Sequence, residues 1–227
     1  MSLRSRVLAA LGTVFDPELD EPITALGFVE SCVVSDGGDV TVRLRLPTPQ
    51  CAPNFAYLMA ADARDAVRRL PGVRRLTVML EDHYTAAEIN TAVSRDERFA
   101  DAFPGETDGE LDALRELFQR KALVARQARV CQALLAAGDA PEVVLRRRVA
   151  DLPDSRDAVR AVALRAALGL PSGPDAPALV AGDGAGLSAA ELPMWLRRAR
   201  LVSLSLETNG GICRDLLSVR YREEVAS

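Results

Sequence analysis

The sequence predicts an α/β (α+β) protein: a small α-β-β-α-β-α sandwich followed by a mostly helical second region with a short β-hairpin. Three observations predict it. Two alternating apolar runs flank Asp36-Gly37-Gly38, a hairpin signal. Apolar residues from Phe55 to Leu70 recur at three- and four-residue steps, as on one face of a helix. Beyond residue 100 long helical periodicity takes over. The 227 residues are enough for two domains that each bury a core, placed at 1–103 and 104–227.

The elements follow in order. Residues 3 to 14 carry Val7, Leu8, Leu11 and Val14 on one helical side, and Asp16-Pro17-Glu18 ends that run with a turn. Phe28 to Val34 and Val40 to Leu46 are strands. In the second, Val40, Val42, Leu44 and Leu46 alternate with Thr41, Arg43 and Arg45, which predicts one buried and one wet face. Pro53 fits the first turn of the next helix, whose stripe is Phe55, Leu58, Met59, Ala63, Ala66, Val67 and Leu70, and Pro71-Gly72 stops it. A third strand spans Val73 to Leu80, and Thr85-Ala86-Ala87-Glu88 reads as a capping box opening a short helix. A second capping-box pattern, Thr107 to Glu110, opens a long helix toward Gly138. Helices near 141–150 and 155–168, a proline-rich link at 171–177 and a short strand at 178–181 come next. A helix near 189–200 and a hairpin about Asn209-Gly210 complete the expectation.

Composition narrows the function classes. Hydrophobic content of 48% and charged content of 26% are those of a globular chain, and 4% aromatic predicts cores of Leu, Val and Ala. A net charge of −4 and a pI near 5.2 argue against nucleic acid as a partner. No run approaches the ~18 apolar residues of a membrane span, and no signal-like apolar region is read at the N-terminus, so the expectation is a cytoplasmic protein without a membrane partner. The four cysteines, Cys32, Cys51, Cys131 and Cys213, form no C-x-x-C pair and are expected as free thiols. Cys32 in a strand and Cys131 on an apolar stripe read as core residues.

Cys51 is the leading candidate for chemistry. It lies in Pro47-Thr48-Pro49-Gln50-Cys51-Ala52-Pro53, between a strand and the mouth of a helix. The unpaired amides and the positive dipole end at a helix start stabilise a thiolate, although a small buried residue at a loop junction fits the position equally well.

Asp16-Pro17-Glu18, Leu26-Gly27-Phe28-Val29, the Pro-x-Cys loop and Pro71-Gly72-Val73, in that order, resemble the small iron-sulfur cluster assembly domain. That domain is shared by the eukaryotic cytosolic assembly targeting subunit, a bacterial Suf-pathway accessory protein and the phenylacetate-oxygenase accessory protein. Asp82-His83-Tyr84-Thr85-Ala86-Ala87-Glu88-Ile89-Asn90 and Asp96-Glu97-Arg98 are similar to the eukaryotic branch. The resemblance covers residues 3 to about 103 and leaves 104–227 without a family. In the family the loop cysteine is unusually reactive, which implies that Cys51 is the functional thiol, and the opening aspartate carries over to Asp16. The loop departs from the family pattern: Pro47 and Ala52 stand where threonine and proline or serine are common, with Thr48 and Pro53 each displaced by one.

The supporting residues each have a second, structural reading. Asp16 and Glu18 offer oxygen ligands or cap a turn. His83, the one histidine, offers an imidazole or simply enters a helix. Glu88 is a capping-box partner or a functional acid, and Thr48 sits in the cysteine loop. Cys213 follows Asn209-Gly210-Gly211-Ile212 and is a second thiol or a turn-adjacent structural residue. A closed cluster site usually takes four thiolates, so one Cys51 per chain implies a transient iron-sulfur cluster or iron, completed by a homodimer or by a client, with none resident in the isolated protein. The resulting expectation is a non-catalytic maturation factor. Its partners would be a client metalloprotein, an iron-dependent monooxygenase being one extension, and other cluster-assembly proteins. The alternative is an interaction scaffold without metal chemistry of its own.

Overall fold

A computed structural model of the chain describes residues 1–105 and 111–222. The first elements are α1 (Leu3–Leu11), β1 (Val29–Val34), β2 (Asp39–Arg45), α2 (Pro53–Arg68), β3 (Arg75–Glu81), α3 (Ala86–Arg95) and α4 (Phe99–Ala102). They are followed by α5 (Leu111–Ala136), α6 (Pro141–Arg146), α7 (Arg156–Ala167) and α8 (Leu192–Arg222). No described helix is long and apolar enough to cross a membrane.

The strands form one sheet in the order β1-β2-β3, with β1 antiparallel and β3 parallel to β2. The parallel pair needs a crossover, and α2 supplies it. Val40, Val42 and Leu44 of β2 and Val78 and Leu80 of β3 are buried, as the period-two pattern requires. The opposite face carries Arg43 and Arg45, both paired with Glu81. At the β1–β2 turn Gly38 has φ +82°, and a Cβ there would lie 2.4 Å from the Gly72 carbonyl oxygen. Only glycine fits both conditions.

Helix α2 buries Ala56, Leu58, Met59, Ala60, Ala63 and Val67. The Tyr57 hydroxyl donates to the Glu97 carbonyl at 2.6 Å, and its ring meets Phe99 edge-on at 5.5 Å. Edge strand β3 is covered by α3, where the Asn90 amide both accepts from Leu80 N–H (2.7 Å) and donates to Leu80 C=O (3.0 Å). One side chain thus imitates the missing strand.

The capping box read at Thr85 and Glu88 does not form. Thr85 is the N-cap of α3 but makes no side-chain cap bond; its hydroxyl lies 3.0 Å from His83 Nδ1, and Glu88 is exposed. The pattern at Thr107 to Glu110 lies outside the described residues.

Two compact units result: described residues of 1–113 with 208–222, and residues 114–207. A single boundary at 103/104 does not describe this division, because 208–222 packs with the first unit. Cys213 and Leu217 lie against its apolar core, and Arg214 and Arg220 bind its loops. The hairpin expected about Asn209-Gly210 is also absent, since α8 runs helically from Leu192 to Arg222. A tight Asn-Gly turn needs positive φ, whereas neither Gly210 nor Gly211 has it. Packing of Cys213 and Leu217 at a four-residue step overrides the local turn signal.

The second unit, 114–207, has cores built around Val130, Cys131, Leu134 and Val144 and around Leu123, Ala161 and Leu164. The strand expected at 178–181 is reduced to a bridge between Val180 and Gly186. The glycine-rich loop between them is a closed turn in which Gly184 N–H donates to Ala181 C=O and Ala185 N–H to Asp183 Oδ1. Ser155 caps α7 through a 3.2 Å bond from Ala158 N–H.

Candidate functional site

The site is built by three loops of the first unit. The first is the Asp16 turn. Asp16 Oδ1 accepts from the amides of Glu18 (2.8 Å) and Leu19 (2.9 Å), and the Asp16 amide donates to the Glu21 carbonyl at 2.9 Å. The turn reading of Asp16 is therefore what the geometry shows. Its second oxygen makes no hydrogen bond among the described residues. Burial pushes this carboxyl up to about 6, with Glu18 and Glu21 adding in the same sense, and the two amide bonds only partly oppose that rise.

The second loop carries Cys51, which is half-buried and precedes the N-cap residue, Ala52, by one position. Its Sγ lies 3.5 Å from Thr48 Oγ1, and its amide donates to the Thr48 carbonyl at 3.4 Å. The sulfur thus meets the hydroxyl of the displaced threonine. The first free amide turn of α2 is used otherwise, Phe55 N–H donating to Asn54 Oδ1 at 2.8 Å.

The third loop, 82–85, pins the second. His83 is buried; its Nε2–H donates to the Cys51 carbonyl at 2.7 Å, and its Nδ1 accepts from Thr85 N–H at 3.2 Å. A carbonyl only accepts and an amide N–H only donates, so these partners select the neutral Nε2–H tautomer. Tyr84 N–H donates to the Pro49 carbonyl at 3.1 Å. Both His83 nitrogens are thereby engaged, and coordinating a metal would break one of these bonds.

Residues 208–222 of α8 bring in the group that sequence separation hid. Cys213, half-buried, packs on the same apolar core as Cys51. Its thiol is pushed up to about 11 by burial first, then by the negative charges of Asp16, Cys51 and Glu18, against the opposing charge of Arg214. Cys32 and Cys131 are 7% and 0% exposed, and burial raises both thiols, as expected of core residues. Cys51, Asp16, Glu18, Thr48, His83, Glu88 and Cys213 all belong to the first unit, and Glu88 is exposed on α3. Among the described residues no three His, Cys, Asp or Glu side chains are arranged to hold a metal ion.

Arg220 escaped the sequence reading, and Asn90 was read there only as part of the Asp82–Asn90 segment, without its bonds to Leu80. Arg220 donates to the carbonyls of Leu46 (3.2 Å) and Asp82 (2.9 Å), tying α8 to the ends of the second and third loops. No local pattern announces an arginine that serves carbonyls more than a hundred residues away.

Residues 4–78 match the family described as iron-sulfur cluster assembly protein. The chain is 34% identical over 97 residues to an uncharacterized protein of Methanocaldococcus jannaschii, covering all of that protein and 43% of this chain. It is 34% identical over 79 residues to an iron-sulfur cluster carrier protein of Mycobacterium leprae and 36% identical over 77 residues to one of Deinococcus radiodurans. Those matches take in 35% and 34% of this chain, and the chain spans only 20% and 21% of the two carriers. The chain belongs to the iron-sulfur cluster assembly protein family, and its first unit carries the membership.

Proposed function

We propose that this protein is a non-catalytic cytoplasmic factor that helps install an iron-sulfur cluster or iron in a client metalloprotein, with Cys51 as the thiol that handles the cargo. The observation that carries the reading is the half-buried Cys51 on a loop of the family domain, its sulfur beside the Thr48 hydroxyl and its loop held by the His83 and Tyr84 contacts. A thiolate is a soft ligand suited to iron and iron-sulfur cargo. The names of the two carrier relatives support the class of cargo. One such thiol holds a cluster weakly, which suits transfer more than storage, and an iron-dependent monooxygenase is the client we favour.

The test uses the full chain, reconstituted anaerobically with iron(III) and sulfide and mixed with an apo plant-type ferredoxin, with visible absorption following transfer. Cys51→Ser is expected to lose most of the transfer, and a co-expressed client monooxygenase is expected to lose iron in parallel. Transfer by Cys51→Ser at the wild-type rate and extent would remove the proposed role.

A further inference from the structure

The end of α8 grips the roots of the two loops that carry Cys51 and His83. The last rung of the β2–β3 ladder pairs Arg45 with Glu81, and the next residues, Leu46 and Asp82, lead into those loops. Their carbonyls lie past the ladder. Arg220 supplies a further rung, donating from Nη1 to Leu46 C=O (3.2 Å) and from Nη2 to Asp82 C=O (2.9 Å), so one planar guanidinium holds both roots. Tyr221 adds to the same grip. Its hydroxyl donates to Asp82 Oδ2 at 3.3 Å, and the Arg45 guanidinium carbon lies 4.7 Å from the centre of its ring. Asp82 itself has φ +52°, a left-handed conformation that surrounding contacts must fix.

The segment that makes this grip has a soft root. Gly210 and Gly211 interrupt α8 just before it, and glycine weakens a helix interior. Packing accounts for only one of them. A Cβ on Gly210 would lie 2.9 Å from Glu21 Oε1, whereas one on Gly211 would meet nothing within 4 Å, and the φ of Gly211 is not positive. Beyond Gly211 the fastenings are modest: the partly exposed Arg214–Glu21 pair at 2.6 Å, Leu217 at 3.3 Å from where a Cβ on Gly27 would stand, and the Arg220 and Tyr221 bonds. Surface pairs of this kind are individually weak. A short helical segment held in this way opens locally at lower cost than the sheet beneath it.

We propose that residues 212–222 of α8 are a latch on the Cys51 loop, hinged at Gly211. Closed, Arg220 acts as a positioning residue: it holds the two loop roots together, and the thiol stays half-buried. Opened, the segment frees both roots, and the Cys51 loop presents its sulfur to an acceptor. The latch rests on the reading of Cys51 as the working thiol and adds a control on it from outside the 4–78 family match. Only hydrogen bonds, one ion pair and packing contacts change between the two states.

Maleimide labelling of the reduced, metal-free full chain tests this, with peptide mass giving the rate at each cysteine. Arg220→Ala is expected to label about 10-fold faster at Cys51, and Cys213 on the latch should quicken with it. Cys32, in the core of the same unit, should keep its rate. Arg220→Lys, a point charge in place of a fork, is expected to fall between Arg220→Ala and the wild type. Gly211→Ala stiffens the hinge and should slow Cys51 and Cys213 by about 3-fold. An unchanged Cys51 rate in Arg220→Ala would overturn the latch, and so would a parallel rise at Cys32, because the whole unit would then have loosened. Should Arg220→Ala fold poorly, Gly211→Ala decides: slower labelling supports the latch, and an unchanged rate overturns it. If the labelling pattern fails while Cys51→Ser abolishes transfer to ferredoxin, the latch falls and the proposed function stands. If the pattern appears but transfer survives Cys51→Ser, the latch stands and the function falls.

Discussion

Both units bury a charged side chain, and they treat it in opposite ways. In the second unit Arg165 is 0% exposed; it donates to the carbonyls of Pro177 (2.7 Å) and Ala178 and to Gln127 Oε1. Gln127 in turn accepts from Val180 N–H at 2.9 Å and donates to Val180 C=O at 3.2 Å. Burial lowers the guanidinium to about 10, which leaves it charged at neutral pH, and only its Nε–H lacks an acceptor among the described residues. In the first unit Asp16 is nearly as buried, but both of its bonds go to one oxygen and its neighbours are acids. The arginine is consumed in holding the 177–180 segment, whereas the aspartate is held beside other acids with its bonds on one oxygen only. A buried charge with its donors used is a structural staple; one with an acceptor to spare has chemistry left in it.

The largest effect that sharpens this contrast is expected from Arg165→Ala. It strands the Pro177 and Ala178 carbonyls and leaves a cavity, at a cost of about 3–5 kcal/mol. Amide exchange should accelerate at Val180 and Leu187, with the β2–β3 ladder keeping its protection. Equal loss of protection in the sheet would break the comparison, because the two units would then share one stability.

The first unit was more legible in the sequence than the second, for a physical reason. Val40, Val42, Leu44 and Leu46 alternate, and the α2 stripe repeats, because each element there has one buried face. In α5 the buried positions include Ala122, Ala125, Gln127 and Ala128, while Leu117 is 50% exposed, so leucines alone mark the wrong face near its start. A glutamine and an arginine read as solvated until the carbonyls they serve are placed. Asn209-Gly210 misled for the same reason: turn chemistry is local, and the contacts of Glu21, Gly27 and Leu46 that hold the helix are not. At the site, Cys51, Asp16 and His83 were legible as candidates, but nothing local brings Cys213 to them across such a separation.

Asp16→Asn tests the other half of the comparison. Folding raises the Asp16 carboxyl from its ordinary 3.8 to about 6, so the folded state binds the proton more tightly than the unfolded one. Its favourable contribution is full below pH 3.8 and is lost as pH rises through 6, a change of about 3 kcal/mol by pH 7. Asparagine keeps the oxygen that accepts from Glu18 and Leu19 N–H but does not ionise. Urea unfolding should therefore give similar stabilities near pH 4 and favour Asp16→Asn by about 3 kcal/mol at pH 7. A difference that does not change with pH would mean that the carboxyl is solvated, and the contrast with Arg165 would dissolve.

The smallest effect is expected where a half-buried polar group is satisfied and uncharged. Asn90 pairs with both backbone groups of Leu80, next to the strand end that leads into Asp82 and His83. Asn90→Ala leaves the Leu80 N–H and C=O without these partners at the sheet edge, at a cost of about 1–2 kcal/mol. Leu80 amide exchange should accelerate more than that of Val78. Because His83 hangs from the same strand and donates to the Cys51 carbonyl, maleimide labelling of Cys51 should also quicken. If labelling is unchanged while Leu80 exchange rises, the His83 loop is held by Thr85 and Tyr84 alone, and the edge of the sheet is uncoupled from the thiol.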